Sequence, residues 1–192
     1  MLFPHIALLS HILRAMSNIE ALHDKVDAFF GRVRDQYGAH LSCQAGCSAC
    51  CDRTLSLFPV ELVPIRATVL ELPTEVRQRL RQRAASEGPG CPLLEEGQCL
   101  VYEARPVICR SHGAPVQVVD GPDLEPRRDV CPLNFQGAVR LDQLDDEHVL
   151  DVERLNVLLS LVNRMAVGEG ADVSERINLR EALREWLGEA ST

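Results

Sequence analysis

The sequence predicts a mainly α-helical single domain over residues 1–192, in which helices flank an irregular cysteine-rich segment that holds at most a few short strands. Apolar residues recur at helical spacing in residues 1–40 and again in residues 142–192. The segment between these flanks, residues 43–135, contains all eight cysteines of the chain. Prolines and glycines interrupt that segment, so regular elements within it must be short.

The N-terminal flank, residues 1–40, is predicted to be helical because its apolar residues stand three or four positions apart. They are Ile6, Leu9, Leu13, Met16, Ile19, Leu22, Val26, Phe29, Phe30 and Val33. This spacing places them on one face of an amphipathic helix. Ser17 begins a Ser-Asn-Ile-Glu sequence that fits a capping box, so two successive helices divided at that point remain an alternative.

The apolar start of the chain lacks the organisation of a secretion signal. Met1 to Leu13 contains no Lys or Arg, Pro4 and two histidines interrupt it, and no Ala-x-Ala site follows. We therefore expect a mature cytoplasmic protein. In that compartment thiols stay reduced, and crowded cysteines bind metal more often than they form disulfides.

The elements predicted for the middle of the chain are short. Thr54 to Phe58 alternates as a strand does, and Pro59 is suited to begin a helix, although Pro64 can shift that start. Thr74 is predicted to cap a helix that runs to about residue 86. Ala114 to Val119 forms a short extended piece. A segment with so little regular structure needs another source of order, and bound metal would supply it.

The C-terminal flank, residues 142–192, repeats the helical pattern. Its apolar residues are Leu144, Val149, Val152, Leu155, Leu158, Leu159, Val162, Met165 and Ala166. Gly168 and Gly170 are predicted to end this helix, and Ser174 to cap a last one that carries Ile177, Leu183, Trp186 and Leu187. The acidic residues between Asp142 and Glu153 suggest calcium ligands by composition. The apolar pattern among them favours a charged helix face instead.

The cysteines form two groups along the chain. The first group reads C-x3-C-x2-C-C and contains Cys43, Cys47, Cys50 and Cys51. Four thiols within nine residues converge only if the backbone wraps around a shared centre, and Gly46 permits the tight turns that this needs. The second group is dispersed and contains Cys91, Cys99, Cys109 and Cys131. We interpret all eight as metal ligands, in preference to buried thiols or disulfides.

The identity of the metal stays open at this point. Eight thiolates would make two closed four-ligand zinc sites, whereas a [4Fe–4S] cluster would use four and leave four over. Side chains of adjacent residues usually point apart. Cys50 and Cys51 therefore suit a polynuclear cluster, or two adjoining sites, better than one zinc ion.

Basic residues near the cysteines are candidates for the surroundings of such a site. We expect Arg105 and Arg110 to offset the negative charge of several thiolates and to donate hydrogen bonds to sulfur. His112 is interpreted as a neighbour of the site in preference to a ligand, because eight thiols already suffice. No nucleophile–base motif and no phosphate-binding loop accompany these residues, so the sequence identifies no catalytic residue.

Charge and hydropathy argue against other classes of partner. The formal net charge is −8, which is unfavourable for binding the phosphate backbone of nucleic acids. No apolar run approaches the roughly 20 residues of a membrane span. We therefore expect a metal ion or cluster as partner, without nucleic acid or membrane. A protein partner remains open, and no segment identifies one.

The C-x3-C-x2-C spacing of residues 43–50 also occurs in radical S-adenosylmethionine enzymes, in which three thiolates leave one iron open to the cofactor. That family usually places an aromatic residue before its third cysteine, whereas this chain has Ala49. Its fold also requires a long series of β/α units, and the flanks here are helical. We reject the radical-enzyme fold for this chain.

Taken together, three stretches of sequence resemble the YkgJ-like cysteine-cluster family, a zinc- or iron-chelating domain named after a CxxCxxCC motif. They are the first cysteine group, the Tyr-x2-Arg-Pro-x2-Cys-Arg sequence that begins at Tyr102, and the Cys-Pro-Leu-Asn sequence that begins at Cys131. The resemblance covers residues 43–135. It implies a metal-binding protein with a structural, redox or metal-handling role.

A branch of similar proteins, the flagellin lysine N-methylases, implies an alternative function. By that resemblance the chain would be a protein-modifying enzyme with a [4Fe–4S] cluster that uses S-adenosylmethionine. Those proteins are much longer, and this sequence has no glycine-rich loop of the ordinary methyltransferase kind.

Overall fold

The computed structural model describes residues 3–44, 46–121, 123–137, 139–167 and 172–188, with side chains from residue 16 onward. The helices in these ranges are α1 (Phe3–Tyr37), α2 (Pro59–Glu71), α3 (Thr74–Ala85), α4 (Val107–Ser111), α5 (Val152–Val167) and α6 (Leu179–Leu187). The predicted fold class, a mainly α single domain, is confirmed. None of the described helices combines the length and apolarity needed to cross a bilayer.

The strands are two or three residues long and form three small sheets. They are β1 (Ser56–Leu57), β2 (Leu94–Glu95), β3 (Gln98–Cys99), β4 (Val116–Val118), β5 (Arg127–Asp129), β6 (Leu150–Asp151) and β7 (Ile177–Asn178). β1 pairs with β7, and β2 with β3, both antiparallel. β4 lies between antiparallel β5 and parallel β6. The β1–β7 pair joins the start of the cysteine-rich segment to the C-terminal flank.

Helix α1 is continuous, so the alternative of two helices divided at Ser17 is wrong. Its apolar face runs through that position. Ile19, Leu22 and Val26 are buried against residues of α2 and α5, and Phe30 and Val33 are buried beside Ala114. This long packed face favours an unbroken helix over an internal cap. The side chains of Ile6, Leu9 and Leu13 lie outside the described residues.

The largest apolar core lies between α2, α3 and α6. Its buried residues are Leu57, Leu62, Ile65, Val69, Leu80, Ala84, Leu93, Val101, Ala104, Leu179, Ala182 and Leu183. Cys91 and Cys99 pack against its edge. Helix α2 begins at Pro59 as predicted, and Pro64 lies within it without shifting its start. The cysteine-rich segment is therefore anchored on a core that the C-terminal flank completes.

Residues 142–151 do not form the predicted helix. They contain 3-10 turns at Leu141–Gln143 and Asp146–His148, followed by β6. Helix α5 starts only at Val152, where the Asp151 carboxylate accepts the N–H of Arg154 at 2.9 Å. Aspartates compete for backbone N–H groups and thereby favour turns and helix starts, which outweighs the apolar spacing in this stretch.

Two predicted caps are also wrong. Asn178 caps α6 by accepting the N–H groups of Arg180 and Glu181, while Ser174 lies in a preceding turn and hydrogen bonds to Asp172. Thr74 is the first residue of α3 and makes no side-chain cap. Ile177 belongs to β7, ahead of α6. The predicted stop at Gly168 and Gly170 lies outside the described residues.

Candidate metal centre

The first cysteine group lies in an irregular loop between α1 and β1. The N–H of Cys47 donates to the carbonyl of Gln44 at 3.0 Å, and that of Cys51 donates to Ser48 at 2.9 Å. A 3-10 turn covers Ala49–Cys51. Gly46 has φ +89°, a left-handed conformation that favours glycine, in agreement with the tight turn predicted there. Successive turns therefore wrap this loop closely.

A backbone contact joins this loop to the second cysteine group. The N–H of Cys91 donates to the carbonyl of Cys51 at 2.8 Å. A Cβ on Gly90 would stand 3.2 Å from the same carbonyl, so the residue before Cys91 has to be small. The β2–β3 pair then carries Cys99, and α4 carries Cys109. All eight cysteines are half-buried free thiols.

Four of the thiols form one neighbourhood, which we call the core-side thiols: Cys51, Cys91, Cys99 and Cys109. Burial raises the pKa of the Cys109 thiol far above its ordinary value, and the nearby Cys91, Cys99 and Cys51 sulfurs raise it further. The pKa of Cys51 is raised by burial and then by Cys91 and Cys99. These effects on pKa group the four sulfurs together, and the hydrogen bond from the Cys91 N–H to the Cys51 carbonyl joins the two segments that carry them.

Backbone amides point at two of the core-side sulfurs. Burial raises the pKa of Cys91, while the N–H groups of Leu93 and Leu94 act in the opposite direction by hydrogen bonding to its sulfur. The N–H of Val101 does the same for Cys99. Amide donors two or three residues after a cysteine stabilise its thiolate, the form that binds metal.

The other four thiols, Cys43, Cys47, Cys50 and Cys131, are called the loop-side thiols. Burial raises the pKa of Cys43, a hydrogen bond from Asn134 lowers it, and the neighbouring Cys131, Cys47 and Cys50 sulfurs raise it. Burial and then Cys51 raise the pKa of Cys50 to about 11. The Cys51 sulfur acts on the pKa of Cys50, and Cys50 acts on that of Cys51, so these two adjacent thiols influence each other. The two groups of thiols meet at this pair.

Asn134 and Gly113 shape the surroundings of Cys43, and sequence reasoning assigned neither residue a role. Asn134 is 3% exposed and donates through Nδ2 to the Gly113 carbonyl at 2.7 Å and to Cys43 Sγ at 3.3 Å. Its Oδ1 accepts the N–H of Ser42 at 2.8 Å. A Cβ on Gly113 would stand 2.4 Å from Cys43 Sγ. The sequence signal that could have pointed to Asn134 is the Cys-Pro-Leu-Asn motif, of which Asn134 is the last residue.

The arginines predicted to contact sulfur have other partners. Arg105 lies near enough to Cys99 for its charge to lower the pKa of that thiol, and its N–H donates to the Tyr102 carbonyl at 3.1 Å. Arg110 is buried, pairs with Asp27, and donates to the carbonyls of Glu103 and Arg105. Neither guanidinium donates a hydrogen bond to sulfur within the described residues.

His112 ends α4 as its C-terminal cap residue, and its side chain is exposed. Partial burial of the imidazole lowers the pKa of His112, and the nearby Arg53 lowers it further, while Asp52 opposes this. The histidine therefore lies beside the residues that follow Cys51.

Arg180 is a neighbour of Cys91 that sequence reasoning missed. It lies on α6, 89 residues further along the chain, and its charge lowers the pKa of Cys91. No local pattern connects positions so far apart in sequence.

Glu61 holds the framework around the thiols together. It is 1% exposed, and its carboxylate accepts the N–H of Phe58 at 3.2 Å and that of Val107 at 3.1 Å. Burial raises the pKa of this carboxyl. Glu61 thereby fixes the start of α2 against the start of α4, the helix that carries Cys109.

The donor set fits a thiophilic metal such as zinc or iron. Eight free thiols, several of them facing backbone amides, supply soft anionic ligands once they are deprotonated. No three of these sulfurs lie within 4.8 Å of one another in the described residues, whereas oxygens of Asp145 and Glu147 and a nitrogen of His148 do. Thiolates of a tetrahedral zinc site lie about 3.7 Å apart, so a bound ion would draw the sulfurs closer together.

The comparison with known families agrees with this donor set. Residues 42–132 match the model of the CxxCxxCC family, described as a "putative zinc- or iron-chelating domain". The matched range begins one residue before Cys43 and ends one residue after Cys131, so it contains all eight thiols. No curated protein and no solved structure matches the chain.

Proposed function

Residues 42–132 of this chain match the model of the CxxCxxCC family, and from that match we propose that its eight cysteines hold two metal ions in two adjoining four-thiolate sites. Cys51, Cys91, Cys99 and Cys109 are the ligands of the core-side site. Cys43, Cys47, Cys50 and Cys131 are the ligands of the loop-side site. Zinc is the metal that a closed set of four thiolates accommodates as a single ion.

The observation that carries this proposal is a pair of contacts between distant segments. The N–H of Cys91 donates to the Cys51 carbonyl at 2.8 Å. Asn134, whose N–H donates to the Cys131 carbonyl at 2.8 Å, donates through Nδ2 to Cys43 Sγ at 3.3 Å. The effects of the sulfurs on one another's pKa agree with this pairing: Cys91 and Cys99 act most strongly on Cys51 and Cys109, and Cys131 and Cys47 on Cys43. Cys50 acts on members of both groups. Two sets of four fit two mononuclear sites, and the contact between Cys50 and Cys51 makes them adjoining.

The two sites would have different roles. Cys91 and Cys99 pack against the largest core, so a metal ion bound there would hold the cysteine-rich segment to α2, α3 and α6. Binding free energy at such a site is folding free energy. Around the loop-side thiols, Ser42, Gln44 and Ala49 are exposed, so an ion there is within reach of an external chelator. We therefore assign a structural role to the core-side site and an exchangeable, metal-handling role to the loop-side site.

The first test is the metal content of untagged protein purified without oxygen. Inductively coupled plasma mass spectrometry should find two zinc ions per chain, and circular dichroism should record a loss of structure when both ions are removed by a chelator. Four irons per chain would contradict the proposal and favour a [4Fe–4S] centre. Unchanged structure after complete removal would contradict the structural role.

A further inference from the structure

Arg180 is buried and binds one segment of backbone. Its side chain is 9% exposed and donates to the carbonyls of Ser86 at 2.8 Å, Gly88 at 3.1 Å and Gly90 at 2.9 Å, and also to the carbonyl of Arg83. These carbonyls belong to the end of α3 and to the loop that leads to Cys91. A single guanidinium from α6 thereby holds the approach to a core-side thiol in place.

The charge of Arg180 has no carboxylate partner. All its acceptors are neutral carbonyls, and no Asp or Glu oxygen of the described residues lies within 4.0 Å of its nitrogens. The similarly buried Arg110, by contrast, pairs with Asp27. A buried cation is costly unless an anion or a complete set of hydrogen bonds compensates it. The carbonyls accept hydrogen bonds from both terminal nitrogens of Arg180 but do not neutralise its charge.

The core-side thiols are positioned to supply the missing negative charge. The Gly90 carbonyl that Arg180 binds immediately precedes Cys91. Four thiolates around one divalent ion carry a net charge of about −2, whereas four protonated thiols carry none. We infer that Arg180 is a positioning residue of the core-side site. The metal–thiolate centre balances the buried charge of Arg180, and this interaction couples the occupancy of the site to the docking of α6. This inference rests on the proposed two-site function.

This coupling is reciprocal. A metal ion at the core-side site stabilises the docked position of α6, and the docked helix raises the affinity of the site for metal by the same factor. Removing the charge should therefore destabilise the metal-bound protein more than the metal-free protein. A purely structural arginine would destabilise both forms equally.

The variants that test this are Arg180→Met, which removes the charge but keeps much of the apolar stem, and Arg180→Lys, which keeps the charge without the planar fork. Arg184→Met is the matched control. Arg184 lies on the same helix and donates to the Ala84 carbonyl at 2.7 Å and that of Ala85 at 3.3 Å, within α3 and before the loop that leads to Cys91. The core-side binding event is identified as the one that Cys99→Ser abolishes.

The measurements are zinc affinity by competition with a chromophoric chelator, at low and high salt, and the unfolding free energies of metal-bound and metal-free protein. Arg180→Met should weaken the core-side affinity by roughly 10- to 100-fold, Arg180→Lys by less, and Arg184→Met should leave it unchanged. An unchanged affinity in Arg180→Met, with equal destabilisation of both forms, would overturn the inference alone. If Arg180→Met does not fold, an unchanged affinity in Arg180→Lys at both salt concentrations would overturn it. A wild-type chain that binds no zinc at the core-side thiols would overturn the proposed function and this inference together.

Discussion

The core-side and loop-side thiols have the same ligand chemistry but different surroundings. On the core side, Cys91 and Cys99 lie against the largest apolar core, are hydrogen bonded by three backbone amides, and have Arg180 and Arg105, respectively, within electrostatic reach. Cys43, on the loop side, packs against the small cluster of Phe30, Val33 and Ala114, and Asn134 provides its hydrogen bond. The contact of Cys91 and Cys99 with the largest core, together with nearby positive charge, therefore distinguishes the core-side set from the loop-side set.

This difference shows how two adjacent sites built from one residue type acquire separate properties. Burial alone disfavours thiolates, and it raises the pKa of Cys109 most strongly. Amide donors and guanidinium groups compensate for that cost, so a closed site becomes compatible with a folded core. The loop-side thiols need less compensation because their loop is more exposed. We therefore expect metal to be held more firmly at the core side.

We expect the largest difference between the two sites when Cys109→Ser is compared with Cys131→Ser. Loss of Cys109 should remove the core-side ion and lower the free energy of unfolding by about 5 kcal/mol or more, because metal-binding energy supports folding there. Cys131→Ser should remove one ion and leave the fold intact. Zinc content and chemical denaturation measure both quantities. Equal losses of stability in the two variants would contradict the difference between the sites.

Gly113→Ala should damage the loop-side site alone. Its new Cβ would meet Cys43 Sγ at 2.4 Å, and its φ of +94° is unfavourable for alanine. We expect a loss of about 2 to 3 kcal/mol in stability, together with release of one zinc.

Gly97→Ala is the control for Gly113→Ala, because Gly97 has φ +78° and open space at its Cβ position. It carries the backbone strain without the clash, so it should keep both ions. Metal content and thermal unfolding compare the two variants. Retention of both ions by Gly113→Ala would count against the placement of Cys43.

Asn134→Ala should weaken the loop-side site by about 10-fold, because a hydrogen bond to a ligand orients it and stabilises its thiolate. The variant also leaves the Ser42 N–H and the Gly113 carbonyl without partners. Competition with a chelator measures the affinity of each ion. The core-side affinity should not change, and Gln136→Ala on the exposed surface serves as control. A parallel loss at both sites would indicate that the two are not separable.

The smallest effect is the loss of stability at low pH that comes from His23. It can be measured separately from the protonation of the metal-binding thiolates. The pKa of His23 is lowered from 6.5 to about 4, chiefly by burial, with Arg110 and Arg105 acting in the same direction and Asp27 opposing them. The unfolded chain therefore takes up a proton before the folded one does. Between pH 6.5 and 5 the folded state loses up to about 2 kcal/mol from this group.

His23→Leu should remove that part of the acid sensitivity. Metal release affects both proteins alike and cancels in the difference between their unfolding free energies at pH 7 and pH 5. A difference that is the same at both pH values would show that His23 is not buried in its neutral form.

The helical framework and the pool of thiols could be predicted from the sequence because both leave local patterns. The face of α1 through Ile19, Leu22 and Val26 follows from spacing alone, and the dense first cysteine group indicates a shared centre. The same reasoning wrongly predicted a helix over residues 142–151, because apolar spacing there coincides with aspartates that favour turns. The motif that contains Asn134 was visible, but its contact with Cys43 depends on tertiary structure.

The division of the thiols could not be predicted, since it depends on contacts between distant segments. The hydrogen bond from Cys91 to the carbonyl of Cys51 joins two loops 40 residues apart and brings Cys51 beside the second cysteine group. Arg180 reaches the same region from α6. Neither contact leaves a periodic or local signal in the sequence.

The most direct test of the two-site account is thiol alkylation of the protein from which a chelator has removed one of two zinc ions. Peptide mass spectrometry then identifies which cysteines react. The account predicts that Cys43, Cys47, Cys50 and Cys131 are modified, while Cys51, Cys91, Cys99 and Cys109 stay protected until the second ion leaves. Uniform modification of all eight thiols, or a protected set that mixes the two groups, would contradict it.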